Sequence, residues 1–124
     1  MSKLEAILSQ FEQALQRLDE VLKEPKNSII RDSAIQRFEF SLDLSWKSVK
    51  AYLEDKKGII CSSPKDCFRE AYRQGLVEYN DALIKYVDMR NETAHTYKEE
   101  IADKIYAELP KALADFIGLL KALK

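Results

Sequence analysis

Apolar side chains recur at steps of three and four residues along the beginning of the chain. This spacing places them in one stripe along a cylinder, which is typical of an amphipathic helix. The stripe contains Leu4, Ile7, Leu8, Phe11, Leu15, Leu18 and Leu22. Ser2 and Glu5 form a capping-box pattern, and Pro25 prevents the helix from continuing. The pattern therefore predicts a helix from Ser2 to Glu24.

The next stretch predicts a longer helix at about residues 28–57, which Gly58 ends as a C-terminal cap. One apolar stripe on it contains Ile35, Phe38, Leu42, Ser45, Val49, Tyr52 and Leu53. Phe40, Leu44 and Trp46 lie away from that stripe. A helix that is apolar on more than one side is buried on more than one side. It is either the central helix of a bundle or the seam of an oligomer, and we expect these three residues to contribute to contacts between subunits.

A short third helix is predicted after a loop at residues 59–63. Ser63, Pro64 and Asp66 have the residue types that favour the N-cap, the first and the third position of a helix. Gly75 is expected to end this helix, because glycine readily adopts the left-handed backbone that follows a helix C-terminus.

Two further helices complete the predicted fold. The fourth begins near Asn80, an N-cap residue type. The fifth begins at Thr96, because Thr96 and Glu99 form another capping box, and Pro110 inside it should kink or restart the helix. Its apolar stripe contains Ile101, Ile105, Leu109, Leu113, Phe116, Leu120 and Leu123. The sum is an all-α, antiparallel up-and-down bundle of about five helices, in a single domain covering residues 1–124.

Composition and charge narrow the classes of protein. Hydrophobic residues at 46% and charged residues at 33% exclude an intrinsically disordered chain. Glycine and proline number only three each, which favours long helices over many short strands. The formal net charge is -1, so bulk charge gives no support for nucleic-acid binding and any phosphate site must be local.

The chain shows no segment typical of membrane insertion or secretion. No apolar run approaches the roughly 20 residues that a membrane span needs, and the beginning of the chain lacks the apolar region of a signal peptide. Cys61 and Cys67 do not suggest a disulfide framework in so regular a sequence, and with one histidine they make no credible zinc site. We therefore expect a cytoplasmic protein with reduced thiols and no metal or cofactor.

The candidate chemistry surrounds the only histidine, His95, which lies five residues after Arg90 and two before Tyr97. Arginine supplies a fixed positive fork for phosphate, and histidine moves protons near neutral pH. At roughly 100° per residue, Arg90 and His95 lie about 140° apart on an unbroken helix. They share a cleft only if the helix ends there or a second subunit completes the site. In the competing interpretation, a lone histidine near a helix end only packs or interacts with the helix dipole.

Three charged residues of the second helix, Glu39, Asp43 and Lys47, follow one another at four-residue spacing. They either pair along a solvated helix face or form the polar wall of a cleft with the helix that carries Arg90. The sequence leaves both interpretations open.

Three segments carry a resemblance that covers nearly the whole chain. They are Arg90-Asn91-x-x-x-His95-x-Tyr97, Arg37-Phe38-Glu39-Phe40-x-x-Asp43-x-x-Trp46-Lys47, and Ser63-Pro64-Lys65-Asp66 with Gly75-Leu76. Together they resemble the HEPN superfamily, and in particular its branch of nucleotidyltransferase substrate-binding proteins, also treated as the HepT-like toxins of HEPN/MNT modules. Asp43 stands where that branch is expected to have the longer glutamate.

The resemblance implies a homodimer whose motif helices meet across a two-fold axis and whose cleft cleaves RNA without a metal. It makes Arg90 and His95 catalytic and Tyr97 the residue to which a partner, a minimal nucleotidyltransferase (the MNT antitoxin), transfers AMP to neutralise the toxin. The residues with supporting roles are then Asn91, Glu39, Asp43 and Lys47. Asn91 would orient His95 or donate a hydrogen bond to phosphate.

The histidine count bears on the same question from another direction. Cleavage of RNA by its own 2′-hydroxyl needs a base and an acid, and one chain offers one histidine. A symmetric dimer supplies two. Two alternatives stay open: a non-catalytic nucleotide- or substrate-binding subunit of a minimal nucleotidyltransferase, and a plain helical dimer.

Overall fold

The computed structural model describes residues 2–95 and 98–124, apart from the side chain of His95. Within these residues the chain forms five α-helices and no strand, so the predicted all-α bundle is confirmed. The helices are α1 (Lys3–Leu22), α2 (Ser28–Tyr52, extended by a π-helical turn at Leu53–Lys57), α3 (Pro64–Arg73), α4 (Ala82–His95) and α5 (Glu99–Leu123). None of the helices in this part of the chain combines the length and apolarity that a membrane span requires.

The predicted caps account for most of the helix boundaries. The hydroxyl of Ser2 accepts a hydrogen bond from the backbone of Glu5 at 3.0 Å, and that of Ser63 accepts one from Asp66 at 3.2 Å. These bonds satisfy backbone N–H groups that have no partner in the first helical turn. The side chain of Asn80 accepts one from Ala82 at the start of α4, at 2.8 Å.

The end of the second helix differs in detail from the prediction. Regular α-helix stops at Tyr52, and the following turn widens into a π-helix before Gly58. Gly58 has a φ of 65°, and its backbone N–H donates to the carbonyl of Leu53. The predicted glycine cap is therefore confirmed, whereas no feature of the sequence predicted the π-helical turn before it.

The beginning of α5 was predicted wrongly. The helix starts at Glu99, and Lys98 at the N-cap position has an extended backbone, whereas the prediction had Lys98 inside the helix. Thr96 itself lies outside the described residues. α5 then runs through Pro110 without a break, so the proline does not restart the helix. A capping box is a local pattern, and the two starting points differ by only a few residues at a helix end.

The centre of the bundle is α2, which contacts each of the other four helices. Of the two alternatives for this helix, a central helix of a bundle or the seam of an oligomer, the structure shows the first. Beside it, the ring centre of Phe116 lies 6.3 Å from that of Phe11, 6.2 Å from that of Phe38 and 5.6 Å from that of Tyr86. The hydroxyl of Tyr86 donates to Asp115 at 2.5 Å, and burial together with this bond raises the pKa of Tyr86 above its usual range.

Arg31 ties the beginning of α2 to the beginning of α5. Its side chain is only 4% exposed. Its guanidinium donates to Glu99 at 2.5 Å, to Asp103 at 3.2 Å and to Asp32 at 3.0 Å. Lys26 also pairs with Asp103 at 3.0 Å, and the contacts with Lys26 and Arg31 lower the pKa of that carboxyl. These charged residues hold the beginning of α5, the helix that follows the motif, against the beginning of α2.

Cys61 and Cys67 form a disulfide, with their Cα atoms 5.1 Å apart. The expectation of two reduced thiols is therefore wrong. Cys61 lies in the loop before α3 and Cys67 lies on α3 itself, and both side chains are buried. The turn at the Ser63 cap folds the loop back onto α3, which brings together two cysteines that are six residues apart.

Removal of this disulfide is expected to lower the free energy of unfolding by about 2 kcal/mol, because the cross-link closes only a short loop in the unfolded chain. The measurement is urea denaturation of the wild type and of a Cys61→Ala/Cys67→Ala double variant. Adding a reductant should shift the midpoint of the wild type and leave that of the double variant unchanged. Two titratable thiols in the native, unreduced protein would contradict the pairing.

Candidate active site

Arg90 on α4 points toward two carboxylates of α2. Its Nη1 atom lies 3.6 Å from Oε2 of Glu39, and its Nε atom lies 3.7 Å from Oδ1 of Asp43. Glu39 and Asp43 are four residues apart and so share one side of α2. The sequence left two interpretations of this charged series open, a solvated helix face or the wall of a cleft. The structure places Glu39 and Asp43 opposite α4, the helix that carries the motif.

The contacts of Arg90 leave it able to take another partner. Both distances exceed the length of an N–H···O hydrogen bond, so the carboxylates hold the guanidinium electrostatically without engaging its N–H groups closely. The Arg90 side chain is 32% exposed, and a guanidinium carries five N–H donors in a planar fork. An approaching phosphate can therefore be bound through two parallel hydrogen bonds.

The last turns of α4 carry two more polar residues close to Arg90 in sequence. The hydroxyl of Thr93 donates to the carbonyl oxygen of Arg90 at 2.8 Å, and Asn91 is exposed. α4 (Ala82–His95) carries both Arg90 and the backbone of His95. The side chain of His95 and the whole of Tyr97 lie outside the described residues.

Lys47 is not part of the ion pairs around Arg90. Its side chain is exposed, and its Nζ atom lies 6.0 Å from the centre of the Trp46 ring. Within the described residues, the structure therefore brings Glu39 and Asp43 to Arg90 and leaves Lys47 beside them on the open side of α2.

A cleft of about 180 Å³ opens beside Glu39, between α2, α4 and α5. It is lined by Asp32, Ile35, Glu39, Thr93, Lys98, Ile101, Ala102 and Ile105. The sequence predicted its isoleucines only as parts of apolar stripes, and it did not single out Thr93 or Lys98 at all. The helical spacing of apolar residues predicts which side of each helix is buried, but it does not indicate that α2 and α5 leave a cleft between them.

The described residues at the cleft form no cluster of metal-ligating side chains. Among residues 2–94 and 98–124, no group of three or more histidine, cysteine or carboxylate side chains could hold a metal ion.

A family model described as nucleotidyltransferase substrate binding protein like matches residues 1–124. The chain belongs to this family. A relative, the probable ribonuclease HepT of Haemophilus influenzae, is 38% identical over 105 residues, which span 78% of this chain and 72% of the relative. The resemblance to the HepT-like branch of the HEPN superfamily is thereby confirmed.

Two solved structures share the fold of this family member. HI0074 of Haemophilus influenzae, described as the fold of a substrate binding domain of a nucleotidyltransferase, is 34% identical at a TM-score of 0.68, with 97% of this chain and 96% of that chain covered. The tri-AMPylated HEPN toxin of Shewanella oneidensis, solved in complex with an MNT antitoxin, is 18% identical at a TM-score of 0.81, with 99% and 98% covered. At that identity, the second likeness shows the HEPN fold alone.

The exposed side of α2 in this family member carries the residues predicted to contact a second subunit. Phe40 is 55% exposed, and Leu44 and Trp46 are partly buried. Phe40 and Leu44 line a groove of about 310 Å³ between α1 and α2. At roughly 100° per residue, the surface continues around α2 from Leu44 and Phe40 past Asp43 to Trp46. It therefore borders the contact between Asp43 and Arg90.

Proposed function

We propose that this chain is a metal-independent endoribonuclease, the toxin component of a HEPN/MNT toxin–antitoxin module. The observation that carries the proposal is the placement of Arg90. It lies on α4, the helix that includes His95, and it faces two carboxylates of α2. The arginine proposed to bind phosphate and the only histidine of the chain thus belong to one short segment beside a cleft. The name of the relative, probable ribonuclease HepT, supports the same activity.

In the proposed reaction, Arg90 exchanges its carboxylate contacts for the oxygens of an RNA phosphate. One histidine accepts the proton of the ribose 2′-hydroxyl as its oxygen bonds to phosphorus. The bond from phosphorus to the 5′ oxygen breaks, and a second histidine donates a proton to that oxygen. The products are a 2′,3′-cyclic phosphate and a 5′-hydroxyl. Arg90 stabilises the negative charge that develops on the phosphorane.

The need for two histidines makes the proposed enzyme a homodimer. Each chain contributes one His95 and one Arg90, and a two-fold axis beside α4 unites the pairs in one cleft. Glu39 and Asp43 hold each arginine in place before RNA binds, and Asn91 supports the histidine or the phosphate. Lys47, exposed on the same side of α2, adds a positive charge for the RNA backbone.

The proposed partner is a minimal nucleotidyltransferase that inactivates the enzyme at Tyr97. The tyrosine oxygen bonds to the α-phosphorus of ATP, pyrophosphate leaves, and the phenol proton passes to solvent. The attached AMP places a negative charge two residues from His95, where it repels the phosphates of RNA. The AMPylated HEPN toxin of Shewanella oneidensis, bound to an MNT antitoxin, supports this type of partner.

Expression in growing bacteria tests the proposed activity. The wild type is expected to arrest growth and degrade RNA, whereas His95→Ala leaves growth unchanged. Gln16→Ala, at an exposed position of α1, is the control and should remain as toxic as the wild type. Harmless expression of the folded wild type at the same level as His95→Ala would contradict the proposal.

A second candidate function is a non-catalytic subunit that presents a nucleotide or other substrate to a minimal nucleotidyltransferase. The description of the family and of HI0074 favours it, and the formal net charge of -1 gives little attraction for RNA. A wild type that binds the nucleotidyltransferase and changes its substrate use, without degrading RNA, would favour this second function.

The proposed dimer makes a prediction at Phe40. Changing Phe40 to aspartate places a charge on the exposed face of α2 and is expected to turn a dimer into a monomer at micromolar concentration, because an interface tolerates no unpaired buried charge. Light scattering after size exclusion gives the mass. Ile60→Asp, which changes another exposed apolar residue away from α2, is the control and should stay dimeric. A monomeric wild type would contradict the shared site.

A further inference from the structure

The cleft between α2, α4 and α5 adjoins Arg90 but is not explained by the proton transfers. Glu39 belongs to both places, since it lines the cleft and lies 3.6 Å from the guanidinium of Arg90. Thr93 also lines the cleft and bonds to the backbone of Arg90. A phosphate bound to Arg90 therefore brings its neighbouring nucleoside to the mouth of this cleft.

The cleft has an apolar interior and a polar rim. Ile35, Ala102 and Ile105 form its buried surface, each less than one tenth exposed. Its volume of about 180 Å³ is below the roughly 300–1,000 Å³ of pockets for drug-sized ligands. It therefore suits one flat ring system with polar edges, such as a nucleobase, while ribose and phosphate stay outside.

Where the structure describes the rim, its polar atoms are mostly hydrogen-bond acceptors. The carboxylates of Asp32 and Glu39 accept only, and one oxygen of Asp32 already accepts from Arg31. The hydroxyl of Thr93, whose proton is donated to the carbonyl of Arg90, presents its oxygen as an acceptor. Among the described residues of the lining, Lys98 supplies a charged donor. A base that presents two adjacent donors beside one acceptor complements this set, and single-stranded RNA is commonly recognised at such base edges.

We propose that this cleft is a nucleobase subsite that takes the base next to the cleaved phosphate and prefers guanine. The Watson–Crick edge of guanine carries adjacent N1–H and N2–H donors for a carboxylate, with O6 as an acceptor for Lys98. Uracil presents one donor between two acceptors and fits the acceptor-rich rim worst. The proposal rests on the proposed ribonuclease function, to which it adds the class of sequence that is cut.

Binding of free nucleotides tests the subsite without relying on cleavage. The full chain is titrated with GMP, AMP, CMP and UMP, followed by NMR. GMP is expected to bind at least about tenfold more tightly than UMP, since one charge-assisted hydrogen bond has an effect of that size. Ala102→Leu fills the cleft and should weaken GMP binding about tenfold. Ala114→Leu, the same change at an exposed position of α5, should have no effect.

Equal binding of GMP and UMP, or equal behaviour of Ala102→Leu and Ala114→Leu, would overturn the subsite. If Ala102→Leu does not fold, Ala102→Val makes a smaller intrusion and is expected to weaken GMP binding in the same direction. Sequencing the ends of RNA cut by the wild type separates the two claims. RNA cleavage without enrichment of guanine at the cut ends would contradict the subsite and support the ribonuclease. Selective binding of GMP without RNA cleavage would support the subsite and contradict the ribonuclease.

Discussion

Replacing Arg90 with alanine is expected to lower kcat/KM for RNA cleavage at least about a hundredfold. The arginine faces the two carboxylates across the edge of the cleft, and in the proposed reaction it stabilises the charge of the phosphorane. Loss of one such preorganised donor typically costs about 10²–10³ in rate. Steady-state cleavage of a short labelled RNA measures the effect. Arg90→Lys should recover only part of the rate, because an ammonium cannot bind phosphate in the planar two-bond geometry.

The matched control for this measurement is Arg69→Ala on α3. It removes the same charge from an exposed position, so it should change kcat/KM less than about twofold at moderate salt. Equal losses in Arg69→Ala and Arg90→Ala would mean that overall charge, and not a site at Arg90, governs the reaction.

Replacing Phe116 with alanine is expected to lower the free energy of unfolding by about 3–5 kcal/mol. The ring is fully buried and contacts the rings of Phe11, Phe38 and Tyr86, which come from three other helices. Its removal leaves a cavity that those helices cannot close together. Urea denaturation, compared at equal m-values, gives the difference between variant and wild type.

Ile117 gives the control for that stability measurement. It follows Phe116 on α5 but is 38% exposed, so Ile117→Ala should cost about 1 kcal/mol or less. A loss below about 1.5 kcal/mol in Phe116→Ala would contradict the aromatic cluster as the centre of the core.

Local features of the sequence were enough to predict the helices. Ser2 and Ser63 cap where their residue types indicate, and Gly58 adopts the left-handed conformation expected after a helix. The failures arose where a local pattern competed with contacts distant in sequence. The capping-box pattern predicted a start at Thr96, whereas α5 starts at Glu99, which accepts a hydrogen bond from Arg31, 68 residues away in sequence.

The candidate site could be predicted only in part, because it also depends on contacts between residues distant in sequence. The spacing of Glu39 and Asp43 predicted that they share a side of α2, and the motif drew attention to Arg90, but only the crossing of α2 and α4 brings the three together. The disulfide of Cys61 and Cys67 likewise depends on how the loop turns at α3, which the number and spacing of cysteines does not reveal.

The central claim is that the chain cleaves RNA with its own arginine and histidine and without a metal. The most direct measurement incubates purified wild type and His95→Ala with a labelled RNA in excess EDTA. The wild type is expected to yield fragments that end in 2′,3′-cyclic phosphate, and His95→Ala to be slower by about 10²–10⁴-fold, the usual contribution of general acid–base catalysis. Cleavage that EDTA abolishes, or that survives unchanged in His95→Ala, would contradict the claim.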